Sequence, residues 1–262
     1  MITAGYLGYK PTVYMRKINL AFAAIVITFL LLTIASLAFA QPSKKTIEVP
    51  EFKGIYVNSN YTVYLKQTNK QEVVVEAEKE ILDLTNIVVD NGVLMINVER
   101  KPENPNKSVW AKIDDIKIRP VMKVYVSAKN INELQVNGNG KVVSENSLAA
   151  DYLSLSVSGS GSMDLDLKGN TLKTDISGSG NIALKGYATS NQVTNSGSGT
   201  LNAFNCELES AKVKVAGSGS AELTVTSQLE VQILGSGSVK HKGNTKNVTK
   251  KVYGSGSVDR AY

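Results

Sequence analysis

Asp164, Asp166 and Asp175 are the residues of this 262-residue chain with the best claim to chemistry. Asp164 and Asp166 alternate, so they share the outer face of one strand, and Asp175 follows one repeat on. Polysaccharide hydrolases and lyases need such carboxylates, with a partner acid or base, on one open face. The outer neighbours expected here are Lys185, Thr224, Lys240 and Lys242. That mixture reads as a solvated face and not as two carboxyls sharing a proton. His241 is the one histidine; it falls at an inward position near the C-terminal end, where burial accounts for it. A single histidine leaves no His-rich metal site, and the single Cys206 leaves no intrachain disulfide. Cys206 reads as a small buried hydrophobe. Asp114-Asp115 reads as a turn, and Trp110, beside the proline-bearing stretch KPENPNKS (Lys101–Ser108), as either a sugar-stacking platform or a packing residue. No catalytic, cofactor-binding or metal residue is assigned.

A Gly-x-Gly triplet recurs with its first glycine at Gly138, Gly159, Gly178, Gly197, Gly217, Gly235 and Gly254. A dinucleotide-binding loop would need a third glycine three residues on and a helix after it, and no copy has either. A calcium β-roll would need an acid at a fixed offset. With the first glycine as position 7, position 12 runs Val143, Asp164, Ala183, Asn202, Glu222, Lys240, Asp259, which builds no calcium ladder.

The triplets are better explained by the elements around them. They recur every 18 to 21 residues, and the middle residue is Ser160, Ser179, Ser198, Ser218, Ser236 or Ser255 in the last six. Positions 1, 3 and 5 are apolar in most copies, for example Leu153, Leu155, Val157 and Leu229, Val231, Ile233, while positions 2 and 4 are polar. Beyond the triplet, position 11 holds Val142, Met163, Ile182, Leu201, Ala221, Val239 and Val258. Period-2 alternation on both sides of a glycine turn means strand, turn, strand. A unit of about 19 residues buries too few side chains to order itself, so the units must stack and share a core. The expected fold is all-β: a right-handed parallel β-helix with the triplets aligned along one corner. Asn191 and Asn195 break the apolar pattern and mark a less apolar or bulged rung. Lys250 and Arg260 stand at inward positions of the last copy, as befits a terminal cap.

Before the repeats, YTVYL (Tyr61–Leu65), EVVVE (Glu72–Glu76), IVVDNGVLMINV (Ile87–Val98) and Val124–Val126 are strand-like, with Asn91-Gly92 as a hairpin turn. The expected organisation is a signal peptide over 1–40, a linker over 41–46, and one domain over 47–262. Within that domain, 47–130 forms irregular N-terminal rungs or a capping sheet, and 131–262 forms the seven Gly-x-Gly rungs. From Met15 the chain has a basic Arg16-Lys17, an apolar Leu20–Leu32 run and Ala38-Phe39-Ala40 before Gln41. These three parts are those of a secretory signal, with translation starting at Met1 or Met15. If uncleaved, that segment would be the one contact with a membrane. Of the net charge of +6, half comes from Lys10, Arg16 and Lys17. The remainder is too mild to argue for nucleic acid as a partner.

The strand-rich lead-in, the serial strand-GSG-strand rungs and the final VYGSGSV make residues 47–262 resemble the head GIN domain family of auto-transporter adhesins of Gram-negative envelopes. The resemblance implies a pectin-lyase-like β-helix without catalytic residues or cofactor. It also implies a protein in the periplasm, outer membrane or cell surface that adheres to a glycan or a surface protein. The alternatives are a polysaccharide-degrading β-helix enzyme and a purely structural envelope protein.

Overall fold

The computed structural model describes residues 42–99 and 121–262. The signal segment, the 101–108 loop, Trp110 and Asp114-Asp115 lie outside the described residues. The body from Ser43 to Tyr262 is a compact unit by itself. Its strands form one connected hydrogen-bonded sheet, in which parallel strands about 19 residues apart stack into a β-solenoid of about seven turns.

The regular part begins with β8 (Glu133–Gly138) and β9 (Lys141–Ser144), on either side of the first triplet. It continues through β10 (Leu148–Gly159), β11 (Ser162–Gly178), β12 (Asn181–Asn195), β13 (Thr200–Gly217) and β14 (Ser220–Gly235). It closes with β15 (Ser238–Lys242), β16 (Asn247–Tyr253) and β17 (Ser257–Arg260). Each long strand leaves one triplet, bends, and arrives at the next. Its two halves therefore belong to two ladders, one following the corner and one preceding it. The register keeps like on like: Leu153, Leu155 and Val157 of β10 pair with Leu172, Thr174 and Ile176 of β11, and Gly159 with Gly178. Alternation along the strands sends these residues inward, where Leu155, Val157, Leu165 and Leu223 are fully buried. Each such aliphatic contributes roughly 1.5–3 kcal/mol by leaving water.

The N-terminal part does not stack in chain order. β2 (Gly54–Asn58) and β3 (Thr62–Gln67) form a rung directly beneath β8 and β9. The chain then leaves through β4 (Glu72–Ala77), the short α1 (Lys79–Leu82) and β5 (Thr85–Asp90). It returns as β6 (Val93–Val98) and β7 (Met122–Ala128), which pair parallel with the other edges of β2 and β3. The β2–β3 rung is thus sandwiched, which is why Ile55, Val57, Val63 and Leu65 are fully buried. Antiparallel pairing finishes this end: β5 on β6, β4 on β7, and β1 (Ser43–Ile47) on β4. β1 thereby begins inside the 41–46 stretch read as linker. Asn91 and Gly92 have φ of 49° and 77°, the left-handed pair that a tight hairpin between β5 and β6 requires.

Candidate functional site

The Gly-x-Gly corner is built for stacking. The amides of the middle serines from Ser160 to Ser236 donate to the first glycine carbonyl of the rung beneath, for example Ser160 to Gly138 at 2.9 Å, Ser179 to Gly159 at 2.9 Å and Ser198 to Gly178 at 2.8 Å. In the last triplet Gly256 takes this place, donating to Gly235 at 3.1 Å. A second row follows the triplets, with Asn181 donating to Gly161 and Thr200 to Gly180, both at 3.0 Å. The second glycine has no room for a side chain: a Cβ on Gly161, Gly180 or Gly199 would overlap a γ-carbon of Val136, Val157 or Ile176 below. Gly178 has φ of 109°, as a tight corner demands, but Gly197 lies outside the left-handed region. Asn195 supplies the reason. Its Nδ2 donates to the Gly199 carbonyl at 2.7 Å and its Oδ1 accepts from the Gly197 amide at 3.3 Å, so a side-chain amide holds this corner from within. Asn191 is likewise buried, accepting from Thr174 Oγ1 at 3.0 Å, with its Nδ2 unpartnered. The polar rung expected at Asn191 and Asn195 is therefore an internal hydrogen-bonded one.

The expected carboxylates do not assemble into a site. Asp164 and Asp166 lie on the ladder that follows the corner, where Asp166 pairs in register with Lys185. Lys185 Nζ lies 3.6 Å from Asp164. Asp175 lies on the ladder that precedes the corner, between Ser156 and Thr194, and ion-pairs with Lys173 at 3.1 Å. Asp164 and Asp166 thus share one strand face, while the corner puts Asp175, one repeat on, on another. Thr224 donates its hydroxyl to the Phe204 carbonyl, Lys242 sits 5.0 Å from the Phe204 ring centroid, and Lys240 pairs in register with Glu222 and Asp259. Among the described residues no three acids, histidines or cysteines cluster as metal ligands. His241 is buried beneath the last rung, its Nδ1 unpartnered. Burial, then the charges of Arg260 and Lys250, hold its pKa below the ordinary value. Cys206 is fully buried, and burial pushes its thiol up to about 12, with Asp166 adding to the shift.

The concave surface lies elsewhere, about half a rung along the chain from the triplets. There the ladder pairing skips Asp151 and Asn170, and consecutive residues turn to solvent. Three open grooves join along this edge. One of about 500 Å³ beside Glu51, Gln71 and Asn91 shares Lys53, Asn130 and Asn132 with the next. The middle groove, about 780 Å³, is lined by Tyr152, Lys168 and Tyr187. Tyr152 also opens the third, about 410 Å³, which runs past Gln192 and Lys212 to Gln228. Tyr152 is 49% and Tyr187 54% exposed, so both rings face outward without neighbours to cover them. Sequence reading missed this edge, yet a signal was present: between 131 and 240 the aromatic residues are Tyr152, Tyr187 and Phe204 alone, all at outward positions. None of Asp164, Asp166 and Asp175 lines these grooves.

A family model described as "Putative auto-transporter adhesin, head GIN domain" matches residues 51–245. Among solved structures, a "putative adhesin" from Bacteroides fragilis superposes with a TM-score of 0.73 at 22% identity, covering 84% of this chain and 97% of that one. A second "putative adhesin", from Parabacteroides distasonis, gives a TM-score of 0.67 at 24% identity over 85% and 98% of the two chains. A protein of the same species described as a "putative lipid binding protein" gives 0.66 at 23%, over 85% and 97%. At these identities the likeness is one of fold. No curated protein matches.

Proposed function

Because the chain belongs to the head GIN domain family, we propose that it is an exported, non-catalytic binding module of the adhesion type. In this reading it is delivered to the periplasm, outer membrane or surface of a Gram-negative cell and presents the grooved edge of its solenoid to a glycan or surface protein. The observation that carries this reading is the continuous edge groove with two outward tyrosines on a rigid, fully packed stack. Rigid β-ladders present such a surface at little ordering cost on binding. The placement of the carboxylates speaks against the enzyme alternative. Asp164 and Asp175 stand on different faces, each beside a lysine, and outside the grooves. The test is deletion of the gene in its native host with complementation, scored as attachment to cell layers and polysaccharide-coated surfaces. Attachment should fall and return with the complementing copy, and mass spectrometry of the envelope fraction should find a mature N-terminus at Gln41. Unchanged attachment on every surface, or release of reducing ends from a polysaccharide by the purified protein, would overturn the reading.

A further inference from the structure

Resting on that reading of the grooved edge as the binding face, we infer that the ligand is a linear, anionic polysaccharide lying along the solenoid axis. Length argues first. The joined grooves run from the rung of β6, at Val93, to that of β14, at Gln228. That is seven intervals, or about 34 Å at the ~4.8 Å spacing of neighbouring strands. An open track of that length offers a small molecule no enclosure, since small-ligand sites cover most of their ligand. It suits a polymer that collects many weak contacts. The track also follows the axis, because each rung adds one equivalent stretch of edge beside the last.

Aromatic placement argues next. Tyr187 pairs in register with Lys168, which pairs with Ala149, in the same strand as Tyr152. The two rings therefore stand two rungs apart, about 10 Å along the axis at ~4.8 Å per rung, and three residues apart across it, since Tyr152 itself is in register with Thr171 and Ser190. A polysaccharide that follows the edge therefore meets Tyr152 and Tyr187 at points offset across the track as well as along it. Exposed tyrosine offers a flat apolar face with a polar tip, which suits the C–H face and hydroxyl rim of a pyranose. Asn130, Asn132, Asn170 and Gln192 supply amides along the same track for the hydroxyls.

Charge selects the class of sugar. Lys129 pairs with Glu51, Lys173 with Asp175 and Lys212 with Glu230, each at 3.1 Å. These pairs flank the track but are already neutralised. Lys53 and Lys168, in the middle groove with the tyrosines, make no ion pair among the described residues. The Asp151 carboxylate in the same groove accepts from Asn170 Nδ2 at 2.8 Å, and Glu133 in the first groove from the Tyr56 hydroxyl at 2.7 Å. Neither has an ion-pair partner among the described residues, so the middle groove sets two lysines against one acid. The two free ammonium groups thus face the track where the rings would stack, and a sugar carboxylate or sulfate there gains charge-assisted hydrogen bonds.

The experiment is affinity electrophoresis and calorimetry of the purified protein with polygalacturonate and alginate, beside neutral xylan and cello-oligosaccharides. Binding to the anionic chains is expected, with affinity falling as salt rises. Tyr152→Ala and Tyr187→Ala should each weaken it on the order of tenfold. The Lys53→Gln/Lys168→Gln pair should weaken it and flatten its salt dependence. Ser160→Ala/Ser179→Ala at the corner should leave it unchanged, and circular dichroism should match the parent in all variants. Equal binding of neutral chains, or lysine variants with the parent's salt dependence, would overturn the anionic assignment. Binding to no polysaccharide by a protein that still mediates attachment would overturn the glycan ligand while leaving the adhesion reading standing. Loss of attachment as well would take both.

Discussion

Gly180→Ala tests the corner with a single methyl group. Gly180 lies outside the left-handed region, so its substitution brings contact and not dihedral strain. The new Cβ would overlap Val157 Cγ1 and sit 2.9 Å from the Gly161 carbonyl oxygen. Neither neighbour is free to retreat. Val157 is fully buried in the β10 ladder, and the Gly161 carbonyl accepts the Asn181 amide at 3.0 Å. Over-packing of this kind costs about 1–3 kcal/mol, and a weakened ladder hydrogen bond adds about 1 kcal/mol. The alanine returns about 0.4–1 kcal/mol by restricting the unfolded chain. The net is about 2 kcal/mol, or a Tm lowered by about 4–8 °C for a body of this size. Val157→Ala alone leaves a cavity and also destabilises. The double variant should lose about 1 kcal/mol less than the two singles together, because the deleted methyls are those that the new Cβ meets. Thermal and urea melts followed by circular dichroism read all three. A Gly180→Ala protein that melts with the parent, or strict additivity in the pair, would refute the idea that the second glycine is there for close approach between rungs.

Three further outcomes follow from the buried polar groups. Thr174→Val strips Asn191 of its one partner and should cost about 1–2 kcal/mol, whereas Thr174→Val/Asn191→Leu restores the aliphatic columns and should melt at or above the parent in urea titrations. His241 has a pKa held below 6.5 by burial and by Arg260 and Lys250. Its contribution is therefore present above pH 6.5 and lost as pH falls through the folded value. The parent should lose more Tm than His241→Leu between pH 7.5 and 5, and equal losses would show that the folded imidazole titrates as it does in the unfolded chain, against the lowered pKa. Cys206, with its thiol raised from 9.0 to about 12, favours the fold below pH 9 and loses that contribution as pH rises toward 12. The folded protein should resist a thiol reagent at pH 8 and react fully in urea; rapid labelling without denaturant would contradict the packing.

How much of this was legible in the sequence divides along physical lines. A corner that must sit on an identical corner repeats its residues, so seven triplets and their alternating flanks were enough to give the fold, the corner and the inward place of His241, while Cys206 was placed inside by the chemistry of a lone thiol. The irregular end was harder. The β2–β3 rung turns at Ser59-Asn60-Tyr61 without a triplet, and its outer neighbour β6–β7 comes later in the chain, so periodicity carries no record of that stacking order. Asn195 showed as a break in an apolar column, but a side-chain amide replacing backbone geometry at Gly197 appears only when distances are known. The grooved edge was not read at all, and its residues explain why. Tyr152 and Tyr187 stand at different offsets from their triplets, because a ligand spanning several rungs has no need of the same side chain on each. The two kinds of residue therefore leave opposite traces. Residues that hold rung to rung recur at a fixed position, and residues that face a partner interrupt the recurrence on an outward position while the column beside them stays intact. By that criterion Ser160, Ser179 and Ser198 belong to the stack although they are exposed, and Tyr152, Lys168 and Tyr187 belong to the surface that selection is free to vary.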